Sequence, residues 1–532
     1  MYARFMVIAA VASACSLGGL ADGGGAGGDT ASTSSIGGAG GQGGVATGAG
    51  GVGGEPPVSR FVWQASFGNQ GIQATSPFST DPHGSTLRLS APSATGAVWV
   101  AFTTSGLLDP DGDGGASPAG VVDMQSLFLL ELQPDGAVSA FRGYTGPPAS
   151  VENGLSVDAI TRDGEGVIVV GSFRTGSLDL GVGTVTQSNT GADDAFMLVL
   201  DADAEPIAAR HITGLSNDTQ TARAATTFDD TLYVGGKFRQ SFSLVDPATD
   251  IVDAGCAFED IDEVFDRAYV TSFDLATLAC VTLYSFTAVD PGAAQQVFDI
   301  AVDDSGVYLA GSYTRQIIAS PIAVLPSTSA EDGFVIALKP NLVAGARWVA
   351  RATSSRGSAN DALRAIQLGD DRVWVGGYLA AGTGTQTPTF GRLAEGTICS
   401  DLAGPMNIDG FVGSLDRASG DCIAARLLGG DGVDQVRTIS VSGAGIVVGG
   451  FSDGLPGLET SIASPLTRNG FFARLDASLV VTGGVALGGT SLDYVDGVRE
   501  IDGGYLVAGS FGAPFDFLAG QDDFFVGALL LE

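Results

Sequence analysis

One strand pattern constrains this chain more than any other feature. An apolar alternation runs into a small pair and an aromatic ring, as GVIVVGSF at 166–173, TLYVGGKF at 231–238 and GVYLAGSY at 306–313. The same pattern returns as RVWVGGY at 372–378, GIVVGGF at 445–451 and GYLVAGSF at 504–511, and AVWVAF at 97–102 is a seventh copy with Ala101 in the glycine place. Aligning Ala101, Gly171, Gly236, Gly311, Gly377, Gly450 and Gly509 gives spacings of 70, 65, 75, 66, 73 and 59 residues. A period of this size marks a propeller blade or a solenoid unit.

Each copy carries three further strand-like runs in a constant order. A short alternating segment precedes the anchor, as at 159–163, 300–303, 365–368 and 438–441. An Asp-x-aromatic run follows it, as DAFMLVLD at 194–201, DGFVIALK at 332–339, DGFVGSLD at 409–416, NGFFARLD at 469–476 and DDFFVGALLL at 522–531. An Ala- and Arg-rich run comes last, as IAARHI at 207–212, GARWVARA at 345–352 and IAARLLGG at 423–430. Four period-2 strands joined by Gly, Asp and Pro turns predict a four-stranded antiparallel blade. Seven copies predict an all-β, seven-bladed β-propeller. The last copy lacks its fourth run, and FVWQASF at 61–67 matches that run, so the N-terminal strand is expected to complete the last blade and leave no open edge.

The anchor glycines read as sites of close strand approach or of a bulge. Asp194, Asp332, Asp409, Asp522 and Asn469 read as caps of the turn at the start of their strand. Asp361, Asp434 and Asp496 each stand five residues before an Ile and read as loop-ordering groups.

GVYLAGSY, DGFVIALK and GARWVARA together resemble the SBBP-type bacterial β-propeller repeat, found in surface proteins of deltaproteobacteria, and the resemblance covers 61–532. It implies a secreted or surface propeller, and it brings no shared enzymatic activity and no catalytic residues.

The N-terminus points to export. Arg4, an apolar stretch and Ala-Ser-Ala-Cys ending at Cys15 have the layout of a short signal, 1–15. The last four residues resemble the lipobox of bacterial lipoproteins, which implies a lipidated Cys15 and an outer-membrane, surface-tethered protein. Ala12-x-Ala14 is equally an ordinary cleavage site, which would release a secreted protein. Residues 16–57 form a Gly-rich linker; its first 39 residues hold 18 Gly, no aromatic and two charges, a composition that cannot bury a core. Residues 58–532 are left as the propeller.

Four cysteines remain. Cys256 and Cys399 both lie in the loop before the Asp-x-aromatic run, and Cys280 and Cys422 both open the Ala/Arg run. Equivalent placement predicts disulfides Cys256–Cys280 and Cys399–Cys422. Without a Cys-x-x-Cys spacing, zinc is the weaker reading. Asp109, Asp111 and Asp113 form a D-x-D-x-D-G string that suits a structural calcium loop or a solvated acidic turn, and Gly120 at the twelfth position excludes an EF-hand.

A formal charge of −34 argues against a nucleic-acid partner. His83 and His211 are the only histidines, no nucleophile–base pair or phosphate loop is legible, and no cofactor is implied. The expected role is therefore a monomeric, non-catalytic binding or adhesion scaffold for a protein or carbohydrate, tethered to the membrane by its N-terminal lipid and engaging its ligand at the propeller loops. A secreted polysaccharide hydrolase or lyase is the alternative.

Overall fold

The computed structural model describes residues 60–67 and 87–530, less 106–123, 149–153, 165, 175, 188–191, 215–217, 260–264, 289–291, 321–322, 327–329, 344, 355–359, 381–387, 393–395, 401, 403–407, 430–431, 444, 454–468, 488–492, 502–503 and 512–522. Cys15, His83, Asp109, Asp111, Asp113, Asp522 and the 16–57 linker lie outside the described residues.

The described chain is almost wholly antiparallel strand, and it folds as a β-propeller. In the sheet that begins at Leu155–Asp163, the chain continues into Gly166–Arg174, Asp193–Leu200 and Pro206–Thr213, each strand pairing with the one before it. The anchor run is the second strand, buried from Val167 to Phe173 because neighbouring sheets cover both of its faces. Tight turns follow from side chains: Asp303 Oδ1 accepts the Ser305 and Gly306 amides at 2.9 and 3.1 Å, closing the hairpin from first to second strand. The turn from third to outer strand passes through a left-handed residue, Gly136 or Gly420 in two sheets and a buried Leu278, Leu342 or Leu479 in three others.

Six blades are contiguous in the chain, opening with the inner strands Leu87–Leu89, Leu155–Asp163, Gln220–Phe228, Gln295–Asp303, Ala362–Leu368 and Gln435–Ser442. The count differs from the expected seven blades, whereas the placement of the N-terminal strand on the last sheet is as expected. The remaining strands, Tyr494–Ile501, Gly504–Phe511 and Asp523–Leu530, form a composite sheet with Arg60–Phe67, which pairs antiparallel with Asp523–Leu530 in a register that sets Trp63 opposite Ala528.

The sheets pack face to face, and each core cluster lies between two of them. One joins Tyr233 and Val270 to Val297, Leu309 and Phe334 of the following sheet. Polar bonds cross the same joints: Arg162 Nε donates to Ala91 O at 2.8 Å, Tyr233 Oη to Pro340 O at 3.2 Å, and Arg417 Nη1 to Asp303 Oδ2 at 2.6 Å.

The anchor glycine has a steric cause that recurs. In six sheets the inner strand slips by one residue opposite it, forming a bulge whose extra residue is Asp158, Arg223, Phe298, Arg364, Arg437 or Asp496. A Cβ on Gly171, Gly236, Gly311, Gly377, Gly450 or Gly509 would lie 1.8–2.1 Å from an inner-strand carbonyl oxygen. No side chain fits there. In the sheet with Ala101 the register Leu87↔Phe102, Arg88↔Ala101, Leu89↔Val100 runs without a bulge. We therefore expect Gly377→Ala to lower unfolding free energy by on the order of 2–3 kcal/mol through overpacking. Ala101→Gly should cost no more than about 1 kcal/mol of strand propensity and a lost methyl. Equal losses in urea titrations of the two variants would show that the bulge is not what selects glycine.

Both disulfides form as expected, with Cα–Cα distances of 5.9 Å for Cys256–Cys280 and 5.7 Å for Cys399–Cys422. They do more than pin a loop to its own sheet. The loop that carries Cys256 contributes Ser241–Asp246, which pairs with the outer strand Pro206–Thr213 of the preceding sheet. The loop that carries Cys399 likewise places Thr389–Arg392 against Ala346–Thr353 and Ile398–Cys399 beyond it. Each bridge then returns to the outer strand of the loop's own sheet, so two adjacent sheets are clasped at the rim and an exposed strand edge is covered. Replacing Cys256 and Cys280 together by Ser should cost about 3 kcal/mol in the chain-entropy account of a loop this size. An unchanged denaturation midpoint would mean that strand pairing alone holds the clasp.

Candidate functional site: a charged ring at the propeller axis

The bulges bring Asp158, Arg223, Arg364, Arg437 and Asp496 toward the axis, where Arg88, Asp299 and Arg499 join them from in-register positions. Each extra residue breaks the alternation of its inner strand, in sequences that read VDAI at 157–160, ARAA at 222–225, LRAI at 363–366, VRTI at 436–439 and VDGV at 495–498. Instead of packing between sheets, these side chains meet their counterparts from other sheets.

The contacts run round the ring. Arg88 Nε donates to Asp158 O at 2.6 Å, and Arg223 Nη1 donates to Asp158 Oδ1 at 2.6 Å. Asp158 Oδ2 accepts the hydroxyls of Ser156 at 3.1 Å and Ser172 at 3.0 Å. The Arg364 guanidinium lies 3.8 Å from the centre of the Phe298 ring and 5.7 Å from that of Tyr378. Arg437 donates to Asp496 Oδ1 at 2.8 Å while sitting over Tyr494 at 4.3 Å and Phe451 at 5.0 Å. Arg499 Nη2 donates to Leu89 O at 3.0 Å, which returns the ring to the sheet of Arg88.

Electrostatics confirm that these groups face one space. Burial lowers the Arg88 guanidinium from its ordinary value, Asp496 and Asp158 counter that, and Arg437 and Arg223 add to it, so one side chain senses four others. Burial also lowers Arg499, which Asp299 opposes and Arg88 reinforces. Asp299 is pushed up to about 6, first by burial; the amides of Ile366 at 2.8 Å and Ile300 at 2.9 Å, and the cations Arg499 and Arg88, work the other way. Arg88, Arg223, Arg437 and Arg499 thus face Asp158, Asp299 and Asp496, with Arg364 stacked on Phe298 and Tyr378 at its own bulge, a local excess of cation in a chain whose whole sequence has 25 basic residues against 59 acidic ones. Guanidinium groups in fixed positions are built to take planar anions, carboxylate above all.

Several sequence expectations change here. Asp496 is not a loop-ordering residue: the register puts Asp493, fully buried, in that place and sends Asp496 to the axis at the bulge. Asp361 does order its loops, accepting the amides of Ser354 at 2.6 Å and Ala380 at 2.7 Å. Asp194 and Asp332 tie strands together. Their carboxylates reach across to the outer strand, Asp194 to His211 Nε2 at 2.7 Å and Thr213 Oγ1 at 2.9 Å, and Asp332 to Arg351 Nε at 2.9 Å and Thr353 Oγ1 at 3.0 Å. His211 is spent in that lock, beside Phe173. In backbone register Asp523 pairs with Phe511 as Asp332 pairs with Tyr313. The axial ring itself was missed; its only signal was the polar residue that interrupts each inner-strand alternation.

The long loops thought of as a ligand face are partly used otherwise, since their described strands cover the rim of the preceding sheet. Among the described residues no helix is long and apolar enough to cross a membrane.

No family model matches the chain, and no curated protein matches it. Among solved structures it is similar to the polysaccharide lyase Uly1, at 8% identity over 87% of this chain and 94% of that one, with a TM-score of 0.41. It is also similar to a europium-containing methanol dehydrogenase, at 12% identity over 89% and 93% with a TM-score of 0.32. A third is the quinohemoprotein alcohol dehydrogenase ADHIIG from Pseudomonas putida HK5, at 9% identity over 77% and 73% with a TM-score of 0.32. Likenesses at this level carry no chemistry across.

The raised Asp299 makes a pH prediction. A carboxyl with a folded-state value above its unfolded one binds protons more tightly when folded, so its contribution is present at low pH and is lost as pH rises from about 4 through about 6. Asp299→Asn removes that slope. Relative to the wild type, the variant should gain about 2 kcal/mol in stability between pH 4.5 and pH 7.5. Parallel stability curves for the two proteins over this range would show that Asp299 is charged throughout.

Proposed function

We propose that this chain is a non-catalytic binding propeller that takes a carboxylate-bearing ligand, a uronate-type glycan, at its axial arginine ring. The observation that carries the reading is the convergence of Arg88, Arg223, Arg364, Arg437 and Arg499 on one axis of a protein with a net charge of −34. Placing cations together against burial is costly, and a ligand anion that completes the ring offsets that cost. The composite sheet of Tyr494–Ile501, Gly504–Phe511, Asp523–Leu530 and Arg60–Phe67 serves in this reading as a seventh blade, since Arg499 joins it to Leu89 and Asp496 joins it to Arg437. In this reading closure by the N-terminal strand holds the axis in one geometry, and a 16–57 tether would lead into that strand. A lipidated Cys15 at the far end of that tether would present the disc at the outer membrane surface; export without the lipid would yield the same module secreted.

The test uses polygalacturonate as probe and neutral dextran as control, by isothermal titration. Wild-type protein should bind the polyuronate and not the dextran, and Arg364→Met, which keeps volume against Phe298, should weaken binding at least tenfold, about 1.4 kcal/mol. Equal affinity of Arg364→Met and wild type, or binding to dextran as well, would overturn an axial anion site. Release of unsaturated uronate during the titration would replace this reading with the lyase alternative.

A further inference from the structure

The joints between successive sheets repeat one polar arrangement, and one joint departs from it. The residue at the start of the third strand lies near the residue just before the next inner strand at two joints, Asp332 with Asp361 and Asp409 with Asp434, and Asn469 and Asp493 hold the matching sequence positions at a third. At the first, Arg351 and Thr353 from the outer strand donate to Asp332. The strand registers place Leu427 and Gly429 in the positions of Arg351 and Thr353 at the second joint, so no side-chain donor comes from that strand. At the third joint Ala486 stands in the Arg351 position, and there the acid itself is replaced by Asn469.

Asp409 therefore keeps a carboxylate where its neighbour dispensed with one. It is fully buried, at 0% exposure, and neither of its oxygens has a hydrogen-bond partner among the described residues. Both carboxylates crowd Gly429 and so lie close to each other: a Cβ there would lie 2.4 Å from Asp409 Oδ1 and 2.8 Å from Asp434 Oδ2. Asp434 is oriented by Ser452, whose hydroxyl donates to Oδ1. Two buried carboxylates this close, with one of them unsatisfied, carry a cost that a shared proton or a bound cation relieves.

We propose that this joint binds a divalent, oxygen-seeking cation of the calcium class, held by the carboxylates of Asp409 and Asp434 over Gly429, with water and backbone carbonyls completing its coordination. The cation takes the place that Arg351 and Thr353 occupy one joint earlier. It joins the third strand Ile408–Asp416 to the connection that leads into Gln435–Ser442, so its effect falls on the packing of two sheets rather than on the axial ring.

Full-length protein freed of metal by a chelator is titrated with Ca²⁺ by calorimetry and by thermal unfolding. Asp409→Asn copies the joint of Asn469 and is expected to fold. A triple Asp109→Asn, Asp111→Asn, Asp113→Asn variant removes the other calcium-like string of the sequence. The proposal expects stoichiometric binding and a midpoint raised by several degrees in the wild type and the triple variant, with both effects lost in Asp409→Asn. Absence of Ca²⁺ binding in the wild type, loss of it only in the triple variant, or unchanged binding in Asp409→Asn would each overturn it.

Discussion

The contact between each anchor glycine and the carbonyl of the inner strand governs much of this structure. A hydrogen atom is all that fits where the second strand crosses the slipped register, and the slip exists because that space is open. The pair is mutually dependent. With a side chain at the anchor the inner strand must run in register, as it does opposite Ala101; without one it can carry an extra residue and turn that residue out of the sheet-to-sheet packing. A motif that repeats for packing reasons thereby creates a place for residues that packing does not choose. Five of the six bulged positions hold Arg or Asp, which are poor core residues, and all of them are found where cores end and the axis begins.

Rim and axis answer different physical problems. At the axis the sheets converge and the difficulty is to satisfy charge in a confined space; at the rim they splay apart and outer strands are left with unpaired edges. The inserted segments Ser241–Asp246 and Thr389–Arg392 reach backwards to the preceding outer strand and use its unpaired groups, and the disulfides keep them there. A loop long enough to look like a recognition surface is in these cases an edge cover. Loop length alone thus argues little about binding on such a disc.

Much of the architecture was legible because it is written at the periods that strands impose. The anchor run, its fixed order with three other runs and the shared placement of the cysteines are all local patterns, and they led to the propeller and to both bridges. What was not legible depends on register. Asp496 and Asp493 differ by three positions, and only the slip between Val495 and Gly497 decides which of them is buried between sheets and which joins Arg437 at the axis. Likewise the role of Asp194 follows from the cross-strand positions of His211 and Thr213, residues far along the chain that no spacing rule connects to it. The count of blades differs too, six being built from consecutive strands, although the sheet composed from the two ends is the one that the run at 61–67 pointed to.

The axial ring also sets a conflict of scale that bears on any anionic ligand. At a distance the protein presents its net charge of −34, which repels polyanions and is screened beyond about 8 Å at physiological ionic strength. Close in, partly buried arginines are screened much less and dominate. Salt should therefore act in opposite directions on the two stages: it removes the long-range barrier to approach while leaving most of the short-range attraction. A polyuronate held at the axis would bind faster as salt is raised from very low concentration, the reverse of a basic protein on the same polymer, and only at high salt would the attraction itself fade. This sign of the salt dependence follows from where the arginines are, not from how many the chain has, and it separates an axial site from adventitious contact with scattered surface cations.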